Sequence, residues 1–247
     1  MCVAAAPALG VRSAAPPPAL ASALSDWTTT NPATSAVVWR LDAGEPVEVL
    51  AYKPTTPRRP ASTMKVITAT SGLLALSPTF QFETRLYASV NAVQEGTTLT
   101  GTLYLKGFGD PTLANPVYAR RYLSGTAGAL GTLARPVRDL GIRSIRGPIV
   151  VDEGFFDNVR NVSSWPSRYA TECQPLSAMT VNQSYLGDVR KRYVKRPPIA
   201  AGVRLRQALK SAGIQQTAAI RSGRTPAEGR LLATAKSPPL KRIVAMM

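Results

Sequence analysis

The hydrophobic pattern changes from a helical to a strand period at Pro78, and this change constrains the fold more than any other feature. Between Pro60 and Pro78 the residues Val66, Ile67, Thr70, Leu73 and Leu74 are spaced for one face of a helix. After Pro78, apolar and polar residues alternate over positions 82–90, as in a half-buried β-strand. The pattern therefore predicts a mixed protein in which a β-rich region follows a helix.

Other segments extend this pattern on both sides. The segment 35–54 predicts two strands joined by a turn at Asp42-Ala43-Gly44, and residues 98–107 predict a strand of a second hairpin with its turn near Gly96. Two helices should be closed by Gly141 and Gly213, and a strand should end near Asp152. An apolar helix is expected to begin within 237–247. The elements together predict a mixed fold of helices and strands.

Composition limits the available chemistry. The chain has 247 residues and a formal charge of +16, and residues 120–247 carry 22 basic and 7 acidic side chains. It contains no histidine, which excludes Ser-His, Cys-His and His-metal mechanisms. Cys2 and Cys173 are too few for a cysteine metal cluster or a disulfide framework. Any nucleophile must therefore be activated by a group other than histidine.

Residues 1–26 differ from the remainder of the chain. They are small, rich in Ala and Pro, and contain no apolar run long enough to span a bilayer. Two interpretations stay open: the end of an export signal followed by a linker, or a low-complexity disordered tail. The first predicts an exported protein, periplasmic or associated with the cell wall.

Ser62 and Lys65 are candidates for a nucleophile and its base. Residues three apart on a helix are neighbours on one face, so both side chains can point into one cleft. A lysine that is partly desolvated can accept the proton of a serine hydroxyl without histidine. The residue types alone equally fit an N-cap serine followed by a solvated lysine.

Six segments decide between these interpretations: "RPASTMKVITATSGLLAL", "FQFETRLYASV", "GTLYLKGFGDPTL", "GIRSIRGPIVVDEGFFD", "PLSAMTVNQ" and "SPPLKRIVAMM". In order, from about residue 36 to 247, they resemble the DacB-type penicillin-binding D-alanyl-D-alanine carboxypeptidases/endopeptidases, which are serine peptidases. The resemblance implies an α+β multidomain fold with a partial serine β-lactamase/transpeptidase-like module and a β-rich inserted domain. The expected parts are the module's first part at 27–80, the insertion at 81–232, and the start of the returning module at 233–247.

The resemblance also implies roles for individual residues. Ser62 would be the nucleophile, Lys65 the general base, and Asp152 part of a pocket that binds the cationic side chain of the substrate. An acidic solvated loop around Asp152, Glu153 and Asp157 is the alternative. The implied partners are peptidoglycan peptides and inhibitory β-lactams, with no cofactor, no metal and no nucleic acid.

Such enzymes need two further motifs, Ser-x-Asn and Lys-Thr-Gly. The chain has no Lys-Thr-Gly or Lys-Ser-Gly. Ser89-Val90-Asn91 follows the nucleophile too closely, with Ser89 expected on the polar face of its strand, and Thr180-Val181-Asn182 is a weaker match. We therefore expect this chain to correspond to the N-terminal half of the family and to be inactive alone.

Two segments suggest other functions. Residues 107–113, "GFGDPTL", lack the third glycine and the lysine of phosphate-binding loops, so a tight turn at Asp110-Pro111 is expected. Residues 190–196, "RKRYVKR", place five basic residues around one tyrosine, a pattern suited to phosphate contacts. The alternatives to an enzyme are therefore a catalytically dead cell-wall-binding remnant and a basic nucleic-acid-binding protein.

Overall fold

A computed structural model describes residues 12–41, 44–166, 169 and 173–247. The chain divides into two compact units, Met1–Met64 and Lys65–Met247. Among the described residues, no helix is both long enough and apolar enough to cross a membrane.

The first unit contains a three-stranded sheet. Its elements are β1 (Arg12–Ser13), α1 (Pro18–Thr30), β2 (Ala36–Arg40) and β3 (Val47–Tyr52). Strand β3 lies between β1, to which it is parallel, and β2, to which it is antiparallel. The predicted strands of the first hairpin are thus confirmed, while residues 42–43 of its turn lie outside the described residues.

Helix α1 occupies part of the segment for which a signal remnant, linker or disordered tail was expected. Pro18 stands at its first position, where the missing N–H costs no hydrogen bond, and the Ala and Leu residues that follow favour helix. No residue of α1 is buried, although all thirteen are described. Because this helix has no buried apolar face, no hydrophobic periodicity in the sequence predicted it.

The second unit contains most of the secondary structure. Its elements are α2 (Met64–Leu76, whose first residue belongs to the first unit), β4 (Glu83–Ala88), β5 (Val93–Glu95), β6 (Thr98–Thr100), β7 (Leu103–Gly107), α3 (Pro116–Tyr122), α4 (Gly131–Asp139), β8 (Ser144–Arg146), β9 (Ile149–Asp152), α5 (Pro197–Ser211), β10 (Gln215–Gln216), β11 (Ile220–Ser222), β12 (Arg230–Lys236) and α6 (Leu240–Val244).

These strands form two sheets. The main sheet has the order β11-β9-β7-β4-β12, and the small sheet has the order β10-β8-β6-β5. Helices α4 and α5 pack against the main sheet. Thr84, Leu86 and Ala88 of β4 are buried while their neighbours are partly exposed, which confirms the predicted alternation. The core joins both sheets and both helices through Leu86, Leu99, Leu103, Leu105, Leu133, Val137, Ile145, Ile149, Val151, Leu205 and Leu209.

Two predicted strands are each divided between the two sheets. The segment 98–107 passes from β6 to β7 at Gly101, which has a φ of +150°, and the segment 144–152 passes from β8 to β9 at Gly147. The backbones of these two glycines lie so close that a Cβ at Gly147 would overlap the carbonyl oxygen of Gly101. The approach of two glycines distant in sequence makes both crossings possible.

This contact predicts a large destabilisation for Gly147→Ala. Its φ is not left-handed, so the cost is steric, and the obstructing atom belongs to backbone that cannot rotate away. We expect a loss of about 3 kcal/mol in the free energy of unfolding. Urea unfolding measures it, with Gly131→Ala as the control, because a Cβ there meets open space and should stabilise helix α4 by up to about 1 kcal/mol. Equal midpoints for both variants would contradict the proposed contact.

The chain enters the β-rich region after α2 and leaves it before α6, and these two points lie side by side. Strands β4 and β12 are antiparallel neighbours with Lys236 opposite Glu83. Beyond them the pairing continues, because the backbone N–H of Ser237 donates to Phe82 O at 2.8 Å and that of Leu240 donates to Phe80 O at 2.8 Å. The buried Ser237 hydroxyl also accepts from Phe82 N at 2.9 Å.

The predicted ends of several elements are confirmed. Gly141 and Gly213 follow α4 and α5 with φ of +83° and +77°. At the predicted turn after β7, the buried Asp110 carboxylate accepts from Thr112 N at 2.8 Å and from its hydroxyl at 2.7 Å. The helix expected within 237–247 is α6.

Candidate active site

Ser62 lies in a 3₁₀ turn, Ala61–Thr63, immediately before α2. The turn follows Pro60 and contains Ala61 at a φ of +44°, and the backbone N–H of Met64 donates to the Ala61 and Ser62 carbonyl oxygens. Ser62 is exposed. Its hydroxyl is therefore accessible to a substrate, and it stands where the predicted helix begins.

Lys65 lies in the first turn of α2 and is also exposed. The division between the two units falls between Met64 and Lys65, so Ser62 belongs to the first unit and Lys65 to the second. The pairing of Ser62 with Lys65 stays a prediction that rests on their separation of three residues.

Helix α2 is apolar and exposed. None of its thirteen residues is buried, and Val66, Ile67 and Leu74 are 67%, 58% and 83% exposed. The predicted length and end are confirmed, whereas the apolar face inferred from the spacing is not covered. Helix α2, which contains Lys65, thus presents a hydrophobic surface.

Asp152 ends strand β9 and is almost completely buried, with an exposed fraction of 2%. Its two carboxylate oxygens accept from the backbone N–H of Gly154 and of Thr225, each at 2.9 Å. Lys106 Nζ and an Arg224 guanidinium nitrogen each lie 3.9 Å from the carboxylate. The carboxylate therefore joins the loops that follow β9 and β11, and its role in substrate binding stays a prediction.

The acids next to Asp152 have different environments. Glu153 is mostly buried and binds Arg160 through a guanidinium nitrogen at 2.5 Å and Ser177 through its hydroxyl at 2.5 Å. Exposed Asp157 accepts from Val159 N at 3.0 Å within its loop. The interpretation of these acids as a solvated loop thus fits Asp157 and fails for Asp152 and Glu153. Sequence spacing could not predict that Ser177 binds Glu153 or that Arg224 and Thr225 contact Asp152.

These loops also border a small cavity of about 230 Å³. Polar groups of Glu153, Asn158, Ser222 and Arg224 line it together with Val151, Gly154 and Gly223. Sequence reasoning missed Arg224, because its sequence neighbours gave no signal of a site. The cavity can accept a small polar group and places both charge signs at its wall.

The two Ser-x-Asn-like segments have structural roles. Ser89 is buried rather than on a polar face, so that expectation was wrong, and its hydroxyl accepts from Thr102 N at 3.2 Å. Asn182 is buried, accepts from Asn115 N at 3.0 Å and donates to Gly187 O at 2.8 Å. Both side chains hold loops in place.

Comparison with known proteins gives the family. The sequence matches the D-Ala-D-Ala carboxypeptidase 3 (S13) family over residues 18–192 and 180–247. A D-alanyl-D-alanine carboxypeptidase of Actinomadura sp. (strain R39) is 31% identical over 188 residues, which are 75% of this chain and 30% of that protein. The chain therefore spans about a third of that relative's length.

Solved structures show the fold. The crystal structure of penicillin binding protein 4 (dacB) from Haemophilus influenzae matches 88% of this chain and 60% of its own, with a TM-score of 0.66 and 21% identity. The same protein complexed with a novel β-lactam matches with a TM-score of 0.53 over 88% of this chain and 58% of its own, also at 21% identity.

These matches confirm the family resemblance and the α+β fold class inferred from the sequence. The S13 match spans the Ser62 turn, Lys65 and Asp152. The chain belongs to the D-Ala-D-Ala carboxypeptidase 3 (S13) family of serine peptidases.

Proposed function

We propose that this chain forms part of a serine-type D-Ala-D-Ala carboxypeptidase or endopeptidase that acts on peptidoglycan peptides. The observation that carries the proposal is the S13 match, which includes the Ser62-Thr63-Met64-Lys65 motif. Ser62 Oγ attacks the carbonyl carbon of the D-Ala-D-Ala bond while Lys65 accepts its proton. The peptide C–N bond then breaks, the leaving amine takes the proton, and water hydrolyses the ester on Ser62.

The local structure of the motif supports these roles. Ser62 is exposed on a turn that leads into a thirteen-residue helix, so a peptide can reach its hydroxyl. In sequence Ser62 comes just before a helix N-terminus, the end of a helix that favours negative charge such as that of an oxyanion. Its exposure and its position in the sequence both fit a nucleophilic serine.

The architecture expected from the sequence is part of the same proposal. Residues 27–80 and the segment from 233 onward belong to the transpeptidase-like module, and 81–232 is the insertion. The pairing of residues 80–82 with 237–240 supports this arrangement, because an insertion must leave and return at one place. The expected boundary between positions 232 and 233 falls inside strand β12, which pairs with β4 as far as Lys236.

The activity is assigned to a polypeptide that contains these 247 residues together with a Lys-Thr-Gly motif, which they lack, and a catalytic Ser-x-Asn motif, a role that Ser89-Val90-Asn91, with its buried serine, does not fill. β-Lactams, one of which is complexed with the Haemophilus protein, are its proposed inhibitors. We place this polypeptide outside the cytoplasmic membrane, where peptidoglycan lies. Asp152 keeps its proposed role near the substrate's cationic side chain.

The experiment combines DNA sequencing with labelling. The DNA downstream of the Met247 codon is read in all three frames for the two motifs, and the longer polypeptide is expressed. If no frame encodes them, a C-terminal segment that carries both motifs supplies them in a fusion. Fluorescent penicillin should label this polypeptide covalently and stoichiometrically.

Two serine variants make this test specific. Ser62→Ala should abolish the labelling, whereas Ser71→Ala, which changes an exposed serine of helix α2, should retain it. Circular dichroism establishes that each protein is folded. Labelling that survives in Ser62→Ala would contradict the proposed nucleophile.

Binding to the cell wall without catalysis is the second candidate function. The lack of Lys-Thr-Gly and of a catalytic Ser-x-Asn in the 247 residues and the high positive charge favour it. It predicts that no reading frame downstream of the Met247 codon encodes the two motifs and that the folded 247-residue chain sediments with wall material.

A further inference from the structure

A basic patch is formed by two segments that are distant in sequence. Its seven members, all in the second unit, are Arg120, Arg121, Arg190, Lys191, Arg192, Lys195 and Arg196. The segments meet at Tyr122, whose ring centroid lies 5.5 Å from the Arg121 guanidinium carbon and 4.6 Å from that of Arg190. Helix α3 and the run 190–196 therefore contribute to one surface.

A hairpin over residues 184–194 fixes the longer segment. Tyr185 and Tyr193 form an antiparallel bridge, with ring centroids 4.4 Å apart and hydroxyl oxygens 2.8 Å apart. The backbone N–H of Leu186 donates to Arg192 O, and that of Val194 donates to Ser184 O, each at 2.8 Å. The cations are thus carried by an ordered turn and lose less conformational freedom on binding.

Arg190 connects this hairpin to helix α3. Its Nε donates to the Tyr118 hydroxyl at 3.0 Å, and a terminal nitrogen donates to Gln183 Oε1 at 2.6 Å. Tyr118 is fully buried in a small core at α3. Arg190 is therefore an anchor, while Lys191, Arg192, Lys195 and Arg196 are exposed and available to a ligand.

In the part of the chain that the structure describes, none of the seven cations of the patch forms an ion pair. The hairpin carboxylate Asp188 accepts from Asn115 Nδ2 at 2.5 Å, and one carboxylate against seven cations leaves the patch strongly positive. Burial, the largest cause, raises the pKa of the Tyr118 and Tyr193 phenols, so both stay neutral. Such an uncompensated concentration of like charge repels itself and attracts polyanions.

We propose that the basic patch binds a linear phosphodiester polymer of the cell wall. Four of its six members besides the anchor Arg190 are arginines, whose planar guanidinium matches the geometry of phosphate oxygens. Several cations along one surface suit a ligand whose charges repeat along a chain. Counterions released from such a polymer supply the binding free energy.

A groove of about 390 Å³ runs beside the hairpin and fits the uncharged part of such a polymer. Its walls include Tyr185, Leu186 and Val194 of the hairpin and Val203 and Arg204 of α5. Apolar carbon and aromatic edges can contact a polyol or sugar unit between two phosphates. The groove thus favours a polymer with spaced phosphates.

The choice of a wall polymer over a nucleic acid rests on the proposed function, whereas the binding step does not involve Ser62. The test therefore uses the whole 247-residue chain with Ser62→Ala as background. A failure of binding then leaves the hydrolase proposal intact, and a failure of penicillin labelling leaves this one intact.

The probe is poly(glycerol phosphate), titrated by calorimetry or fluorescence anisotropy at several salt concentrations. The test variant changes Lys191, Arg192, Lys195 and Arg196 to Gln. We expect on the order of 100-fold weaker binding at 0.1 M salt, with a log–log salt slope smaller by about 3. The control changes four exposed arginines outside the patch to Gln, which lowers the net charge equally and should weaken binding far less: Arg135, Arg146, Arg221 and Arg230.

Three results would overturn the proposal. Equal losses in the test and control variants would show attraction to net charge alone. Tighter binding to duplex DNA at the same phosphate concentration would indicate a nucleic-acid surface. Sedimentation with peptidoglycan that is unchanged after acid removal of its phosphate polymers would assign the binding to stem-peptide carboxylates.

Discussion

The 247-residue chain alone should form no lasting adduct with fluorescent penicillin, although it carries both Ser62 and Lys65. Acylation requires donors for the carbonyl oxygen, a strand that binds the β-lactam carboxylate, and a group that positions the lysine. In related serine enzymes the Lys-Thr-Gly strand and the Ser-x-Asn motif supply these parts. The 247 residues contain neither motif at a catalytic position.

The size of the expected deficit follows from oxyanion stabilisation. One preorganised donor contributes about 3 kcal/mol to acyl transfer. Loss of two parts of comparable effect raises the barrier by about 6 kcal/mol, which is roughly four orders of magnitude in rate. Acylation that takes seconds in an intact enzyme would then take many hours.

The measurement is gel fluorescence after incubation with the labelled penicillin. The Ser62→Ala chain defines the non-specific background, and the longer polypeptide that contains the two motifs is the positive control. Stoichiometric labelling of the 247-residue chain that disappears in Ser62→Ala would show that these residues already contain a complete acylation site.

Local signals predicted the elements whose formation depends on nearby residues. The hydrophobic period of two predicted strand β4. Gly141 and Gly213 predicted the ends of α4 and α5, and both have a left-handed φ in the structure. The division of two strands between the two sheets could not be predicted, because it depends on the contact between Gly101 and Gly147, which are far apart in sequence. Helix α2 shows a further limit, since its apolar spacing indicated a buried face and the structure leaves that face exposed.

The candidate site shows the same dependence on distance along the chain. Ser62 and Lys65 could be selected because they are three residues apart, and their roles came from the family resemblance. The environment of Asp152 could not be predicted, because Thr225 and Arg224 reach it from a loop about seventy residues later. The run 190–196 was visible in the sequence, whereas its junction with Arg121 at Tyr122 required the fold.

Lys65→Arg should reduce penicillin acylation of the longer polypeptide by roughly 10² to 10⁴-fold, the usual contribution of a general base. A neutral lysine amine can accept the Ser62 proton, whereas a guanidinium stays protonated and cannot. The substitution keeps the positive charge and the approximate length, so a purely electrostatic or solvated role for Lys65 would tolerate it.

The control for this variant is Lys241→Arg, which changes an exposed lysine of α6 and should leave the acylation rate within about twofold, as expected for surface substitutions. Thermal unfolding of both variants excludes a folding defect as the cause of lost labelling. Retained labelling in Lys65→Arg would refute proton transfer to Lys65. Because the chain contains no histidine, the base would then have to come from another lysine, a carboxylate or the segment that carries the two further motifs.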